Sequence, residues 1–146
     1  MKVELQIDKN STESKFIIIT NRITREVEKI INFINSNKHV TYKGTKDQQI
    51  YLLNPDDIFY FYTEGQRVMV KTKNQVLQVK LKLYEIEEQM DGTNLIRISN
   101  SIIANIDKIN NLEMSFNGTF CIKFINGDIQ YSSRRYVKKI KEFLNL

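Results

Sequence analysis

Two consecutive arginines stand at the predicted start of the last helix of this 146-residue chain. Val137, Ile140 and Leu144 recur at helical spacing, which puts Arg134 and Arg135 in the first turn of that helix. The amino end of a helix carries unpaired amides and a partial positive charge, so it repels two arginines unless an anion is bound. The pattern predicts a helix end that binds phosphate, and an arginine fork also matches the O6 and N7 atoms of guanine. A helix end that tolerates the repulsion in solvent is the alternative.

Two further clusters of polar residues stand beside predicted turns. Gln66 and Arg67 follow a glycine turn, and a polar run from Arg97 to Ser101 interrupts an otherwise apolar stretch. Asn100 in that run can both donate to and accept from an adenine edge. The same residue type also suits a turn in the left-handed conformation. The candidate binding residues are Gln66, Arg67, Arg97, Ser99, Asn100, Ser101, Ser133, Arg134, Arg135, Lys138 and Lys139.

The positive charge of the chain is concentrated towards its C-terminus. The segment Leu95–Lys141 contains eight basic and three acidic residues, so it accounts for the whole formal net charge of +5. Such an asymmetry favours a polyanionic partner. A solvated basic face explains the charge alone equally well.

Residues for metal or covalent chemistry are sparse. One histidine, His39, and one cysteine, Cys121, give no Cys/His ligand set, and both are interpreted as ordinary strand residues. The carboxylates between residues 85 and 91 point several ways, as on a solvated face, and the sequence has neither a glycine-rich phosphate loop nor a nucleophile elbow. We therefore expect no catalytic residue, no metal site and no cofactor.

The compartment is inferred from what the sequence does not contain. No run of 18 apolar residues suits a membrane helix, and the first ten residues lack the apolar core of a signal peptide. A single cysteine excludes an internal disulfide. We expect a cytoplasmic protein without membrane insertion.

The apolar periodicity predicts an α+β, mostly β fold. Alternation in Val3–Ile7 and an apolar run in Phe16–Ile19 predict two strands, followed by a helix over about Arg22–Asn35 that Thr20 or Asn21 caps. Strand patterns then dominate, interrupted by a short helix near residues 83–90 and the terminal helix, capped by a serine at 132 or 133. The later strands are predicted at residues 39–44, 49–53, 58–64, 67–72, 75–80, 95–98, 101–103, 112–116, 119–124 and 128–131.

The only proline, Pro55, lies between two strand patterns and marks the predicted domain boundary. Residues 1–54 are interpreted as a small N-terminal β-α-β extension, and residues 55–146 as a β-rich domain.

Three motifs carry a resemblance to a known family. The segment Leu95–Ile109, LIRISNSIIANIDKI, resembles the signature of LytTR DNA-binding domains of bacterial regulators, roughly F-x-R-x-H-R/K-S-Y-I-V-N-x-x-x-I. NGD at residues 126–128 followed by SSRRYV at residues 132–137 is similar to the family's closing motif. DIFYFY at residues 57–62 is similar to its opening strand, so the motifs cover about residues 56–146 in the family's order.

The resemblance implies an elongated, multi-sheet LytTR-like domain whose loops enter successive major grooves of double-stranded DNA. By position, the reading residues are Gln66 or a neighbour, Asn100 and Arg135. The chain departs from the family pattern at Ser99-Asn100, where His and then Arg or Lys are frequent. It also has Ile102 in place of an aromatic residue and Ala104 in place of valine.

The residues before Pro55 are too few for a receiver domain, so the chain resembles the stand-alone regulators of the family. We expect a homodimer on promoter repeats, with the N-terminal extension as a dimerisation or regulatory unit. The alternative is a protein-interaction module that controls a membrane-bound or cytosolic partner. RNA binding is a weaker option, because few aromatic residues other than Tyr62 and Tyr136 are candidates for stacking unpaired bases.

Overall fold

The chain divides into two units between residues 37 and 38. A computed structural model describes residues 2–35 and 41–146; His39 and the predicted beginning of its strand lie outside this part. The predicted boundary at Pro55 is wrong, because the strands before and after that proline belong to one sheet. Pro55 instead begins a single 3-10 turn between them, and the fixed φ of proline suits this position. In the sequence, such a turn resembles a domain boundary.

The described residues of the first unit contain one helix, α1 (Arg25–Asn35). The helix was expected, but Thr24 caps it instead of Thr20 or Asn21: Thr24 Oγ1 accepts from Val27 N at 3.3 Å. The two strands predicted in the extension are wrong, since residues 2–24 lie in neither helix nor strand. Alternating apolar residues make a strand only where a neighbouring strand pairs its backbone groups, and no such pairing is present in the described residues of this unit.

The second unit confirms the mostly β architecture. Each strand predicted beyond residue 41 is present within a few residues of its expected bounds, as are the short and the terminal helix. The elements are β1 (Tyr42–Lys46), β2 (Gln49–Leu53), β3 (Ile58–Glu64), β4 (Arg67–Thr72), β5 (Val76–Val79), α2 (Leu83–Glu88), β6 (Leu95–Ser99), β7 (Ile102–Asn105), β8 (Ile109–Met114), β9 (Phe120–Phe124), β10 (Ile129–Tyr131) and α3 (Arg134–Leu144).

These strands form two antiparallel sheets. A seven-stranded sheet has the order β2-β1-β5-β4-β3-β7-β6, and a three-stranded sheet has the order β10-β9-β8. The strands β3, β7 and β6 lie side by side, so the turns that follow β3 and β6 come to the same end of the sheet.

Strand β3 is buried on both faces and separates two hydrophobic cores. Ile58 and Phe61 pack in a core with α2, whereas Phe59 and Tyr60 pack in a second core with the small sheet and α3. A register shift between Ile58 and Tyr60 accompanies this change of face. Burial on two sides explains why this strand is a continuous apolar run in the sequence.

Gly44 in β1 lies where the first core leaves no room for a side chain. A Cβ at this position would be 2.8 Å from both Cβ and Cδ1 of Leu77 and 3.2 Å from Cδ1 of Leu53. These distances are too short for ordinary carbon contacts, so the position requires glycine.

We predict that Gly44→Ala lowers the free energy of unfolding by about 1–3 kcal/mol, because the methyl group overpacks the core. Urea unfolding measures the change. Lys43→Ala, an exposed neighbour on the same strand, serves as control and is expected to shift stability by at most about 0.5 kcal/mol. Equal stability of Gly44→Ala and the unmodified chain would contradict the packing described.

Candidate nucleic-acid interface

The three predicted clusters of polar residues come together at one end of the second unit. Thr63 N donates to Ser101 O at 3.0 Å, which joins the β3–β4 turn to the β6–β7 turn. Ser133 N donates to Ile98 O at 3.0 Å, which joins the end of β6 to the beginning of α3. The β3–β4 turn, the β6–β7 turn and the beginning of α3 are far apart in the sequence but form one surface. We call this surface, residues 64–67, 99–101 and 133–138, the turn surface.

A β-bulge shapes the middle of the turn surface. The pairing of β6 with β7 shifts between Arg97 and Ser99, so Ile98 is an extra residue on β6. Ile98 packs in the second core, whereas Arg97 pairs with Ile103 of the first core. Arg97 follows the regular alternation of β6 between Ile96 and Ile98, so its side chain lies on the face of the first core, towards α2.

Arg97 holds the β6–β7 turn from the inside. Its Nε donates to Ser99 O at 2.9 Å and its Nη2 donates to Asn100 O at 2.6 Å. Its Nη1 donates to Glu87 Oε2 on α2 at 2.6 Å, and only 12% of the Arg97 side chain is exposed. With all three nitrogens bonded internally, Arg97 has the geometry of a residue that positions the turn.

Asn100 is exposed at the tip of the turn and is connected to α3. Tyr136 Oη donates to Asn100 Oδ1 at 3.1 Å. The Nδ2 donors of Asn100 have no partner among the described residues and are available to an outside acceptor. Ser99 and Ser101 flank it, with their Oγ atoms 3.2 Å apart.

The two arginines at the beginning of α3 are exposed and differ in their contacts. The guanidinium carbon of Arg135 lies 5.7 Å from the centroid of the Tyr136 ring, a distance typical of a cation–π contact. Arg134 Nε donates to Asn117 O at 3.0 Å, so the β8–β9 turn also reaches the turn surface. Tyr136 thus contacts both Asn100 and Arg135. This role was not predicted from the sequence, because the candidate residues were selected for polar or basic side chains.

The amino end of α3 lacks the side-chain cap that the sequence predicts. Ser132 Oγ instead accepts from Phe120 N at 2.9 Å, and Ser133 Oγ is buried without a hydrogen bond within the described chain. The first turn of α3 also contains no acidic residue. The unpaired amides and the arginines together favour an external anion at this helix end.

The remaining candidates lie at the edges of the turn surface. Gln66 and Arg67 are exposed in and after the β3–β4 turn. Lys138 and Lys139 are exposed on α3, and Lys139 Nζ is 3.7 Å from Glu87 Oε1. Lys139 therefore shares the carboxylate that binds Arg97.

Two tyrosines of β3, Tyr60 and Tyr62, have raised pKa values, so their phenols remain neutral at neutral pH. Burial raises the pKa of Tyr60 to about 12, and burial followed by the nearby Glu64 and Asp128 carboxylates raises the pKa of Tyr62. Tyr60 Oη donates to Asp128 Oδ2 at 2.9 Å. This bond connects β3 to the turn that precedes β10.

In residues 2–35 and 41–146, no group of three or more His, Cys, Asp or Glu side chains is arranged to hold a metal ion. No helix in these ranges is long and apolar enough to cross a membrane.

Comparison with known proteins gives consistent matches. A sequence model of the LytTr DNA-binding domain matches residues 48–145. An uncharacterised HTH-type transcriptional regulator of Staphylococcus aureus strain NCTC 8325 is 37% identical over 147 residues, which cover 100% of this chain and 99% of that protein. A regulator of the same description from strain MRSA252 matches to the same extent.

A solved structure matches the fold. The LytTr DNA-binding domain of a Bacillus cereus protein described as a methyl-accepting/DNA response regulator has a TM-score of 0.70 and 18% identity, covering 73% of this chain and 97% of that one. The relatives' description names a helix-turn-helix, but α2 and α3 of this chain are separated by five strands and do not form one.

The Tyr136–Asn100 bond gives a prediction about the turn surface itself. Tyr136→Phe removes the hydroxyl but keeps the ring beside Arg135, so it is expected to lower the free energy of unfolding by about 0.5–1 kcal/mol. Nitrogen-15 relaxation of the Asn100 side-chain amide is expected to report increased motion.

Tyr131→Phe is the matched control, because Tyr131 is 61% exposed and the described residues offer its hydroxyl no partner. Asn100→Ala combined with Tyr136→Phe tests the pairing, since the double variant should lose less stability than the sum of the single changes. Strict additivity, with unchanged Asn100 motion, would contradict the bond.

Proposed function

This chain belongs to the LytTr DNA-binding domain family, and on that premise we propose that it is a transcription regulator that binds double-stranded DNA sequence-specifically through the turn surface. The observation that carries the proposal is the meeting of the β3–β4 turn, the β6–β7 turn and the amino end of α3. Each supplies exposed polar or basic side chains, and none of the three would present an extended surface alone.

The chemistry of the surface divides between contact with phosphates and contact with bases. We assign the amino end of α3, with Arg134, Lys138 and Lys139, to phosphates, because helix amides and cations attract anions without reading sequence. Arg135 is the proposed reader of guanine, since it is exposed and the Tyr136 ring supports its guanidinium.

Asn100 is the proposed second reader. Its Nδ2 can donate to a base acceptor, while Oδ1 keeps a second lone pair beside the bond from Tyr136. Gln66, with Arg67 next to it, is the proposed reader in the first turn, supported by exposure and position. Arg97 acts indirectly in this scheme, by holding the turn that carries Ser99, Asn100 and Ser101.

The three elements are proposed to enter successive major grooves of one duplex. Homodimerisation on promoter repeats follows from the same proposal, since two copies would double the contacted sequence. The first unit is a candidate for dimerisation or for binding a regulatory protein, because Val3, Leu5 and Ile7 are exposed apolar residues.

Salt dependence tests the proposal in its general form. If about four to six phosphates are contacted, the logarithm of affinity for a selected site should fall with the logarithm of salt concentration at a slope of roughly −4 to −5. Fluorescence anisotropy with labelled duplex measures it, and a scrambled duplex of equal length is the control. A flat salt response, or equal affinity for both duplexes, would contradict the proposal.

Arg135 and Lys138 give a matched pair of variants on α3. Arg135→Ala is expected to cost about 1–3 kcal/mol on the best site and to relax the preference at one base pair. Lys138→Ala should weaken all sequences alike and reduce the salt slope by about 1. Lys138 is the better comparison than Lys139, which lies near Glu87.

Affinities of both variants for a set of single-base-pair substitutions of the site separate the two roles. Equal losses on every sequence for both variants would mean that Arg135 contacts phosphate only.

A further inference from the structure

A phenylalanine is fully exposed next to the basic end of α3. Phe116, in the turn between β8 and β9, has a relative exposure of 114%. Met114, two residues earlier, is also 49% exposed. No core of the second unit includes either residue, so the stability of the fold does not explain why an aromatic ring stands there.

The turn that carries Phe116 is internally braced. Ser115 N donates to Thr119 O at 2.8 Å and Gly118 N donates to Ser115 O at 3.1 Å. Asn117 Oδ1 accepts from Thr119 Oγ1 at 2.7 Å. Gly118 has a φ of +78°, which a glycine adopts without strain. The backbone that presents the ring is therefore held in one conformation.

The turn is also attached to the residues that we assign to DNA. Arg134 Nε donates to Asn117 O at 3.0 Å, directly beside Phe116. Ser132 N donates to Phe120 O at 2.9 Å, while Ser132 Oγ accepts from Phe120 N. The ring and the first turn of α3 consequently form one continuous surface that is both aromatic and cationic.

The charge of this surface selects its occupant. An apolar protein surface placed against Phe116 would bury Arg134 and Arg135 without a counter-charge, which is costly. The major groove of DNA is bordered by phosphates and exposes an apolar group, the C5 methyl of thymine. Aromatic side chains can contact this methyl group.

We propose that Phe116 contacts the C5 methyl of a thymine beside the base pair read by Arg135, and so adds a sequence preference for thymine at that position. This inference rests on the proposed function of the turn surface.

Deoxyuridine in place of thymine removes only the methyl group and is therefore the decisive probe. A duplex containing the site selected from random DNA is prepared with each thymine replaced in turn by deoxyuridine. The full-length chain is expected to lose about three- to tenfold in affinity at one position, the value of one buried methyl. Phe116→Ala should lose a similar factor on the thymine duplex and become indifferent to deoxyuridine at that position.

Ile125→Ala is the matched control. Ile125 is 59% exposed and lies in the turn at the opposite end of β9, away from α3. It should bind and discriminate like the unmodified chain. Because Phe116 is exposed and uncharged, Phe116→Ala should also keep the unfolding midpoint and the salt slope unchanged.

The possible failures are distinguishable. If the unmodified chain prefers its site but Phe116→Ala retains full affinity and full discrimination, this inference is overturned and the proposed function stands. If Phe116→Ala weakens binding while no deoxyuridine substitution affects the unmodified chain, the thymine contact is overturned. If Phe116→Ala only changes the oligomeric state, the ring contacts a second copy and the inference is likewise overturned. If the unmodified chain prefers no sequence, the proposed function fails and takes this inference with it.

Discussion

The antiparallel pairing of β3, β7 and β6 is the constraint on which the rest of the second unit depends. Tyr62 of β3 lies opposite Ile102 of β7, and Ile102 lies opposite Ser99 of β6. This register brings the turn after β3 and the turn after β6 to one end of the sheet. Both faces of β3 are buried, so a register shift of one residue would move each of its side chains from one core to the other. Such a shift is strongly disfavoured. The packing of the two cores therefore determines where these turns lie.

Side-chain bonds then fix the turns relative to one another. Arg97 connects the β6–β7 turn to α2 through Glu87, and Tyr136 connects it to α3 through Asn100. Arg134 connects α3 to the β8–β9 turn through Asn117. A surface ordered before binding loses little conformational entropy when it meets its partner, so more of the contact energy remains for affinity and discrimination. The residues that order the surface are thus as important to recognition as those that face outward.

Local pattern was sufficient for most of the second unit and for the location of its polar clusters. Alternating apolar residues predicted the strands, and a glycine marked the turn after β3, because both signals depend on neighbours in the sequence. The turn between β1 and β2 gave no such signal: Asp47 and Gln48 adopt φ values of +50° and +66° without a glycine. The pairing of the flanking strands compensates for that strain, and pairing cannot be read locally.

Failures of sequence interpretation have the same origin in distant contacts. The pattern of Val3–Ile7 alternates like a strand, but no neighbouring strand is present in the described part of its unit. Arg97 was predicted among the residues that bind a nucleic acid, and its ion pair with Glu87 of α2 depends on packing that the local sequence does not show. Tyr136 was noted only as a candidate for stacking bases, and Phe116 was placed in a predicted strand of the β-rich domain. Their contact with Asn100 and their exposure, respectively, depend on how α3 and the β8–β9 turn pack.

An NMR titration of the nitrogen-15-labelled chain with a duplex selected from random DNA tests most directly whether the turns form one binding surface. Backbone amides at residues 64–67, 99–101, 116–118 and 133–138 should shift together, with the same dependence on DNA concentration. Amides of the β1–β2 turn at residues 47–48 and of the β9–β10 turn at residues 125–127 should remain unchanged. Shifts concentrated in those two control turns, or shifts in only one of the four segments, would contradict a single surface built from the pairing of β3, β7 and β6.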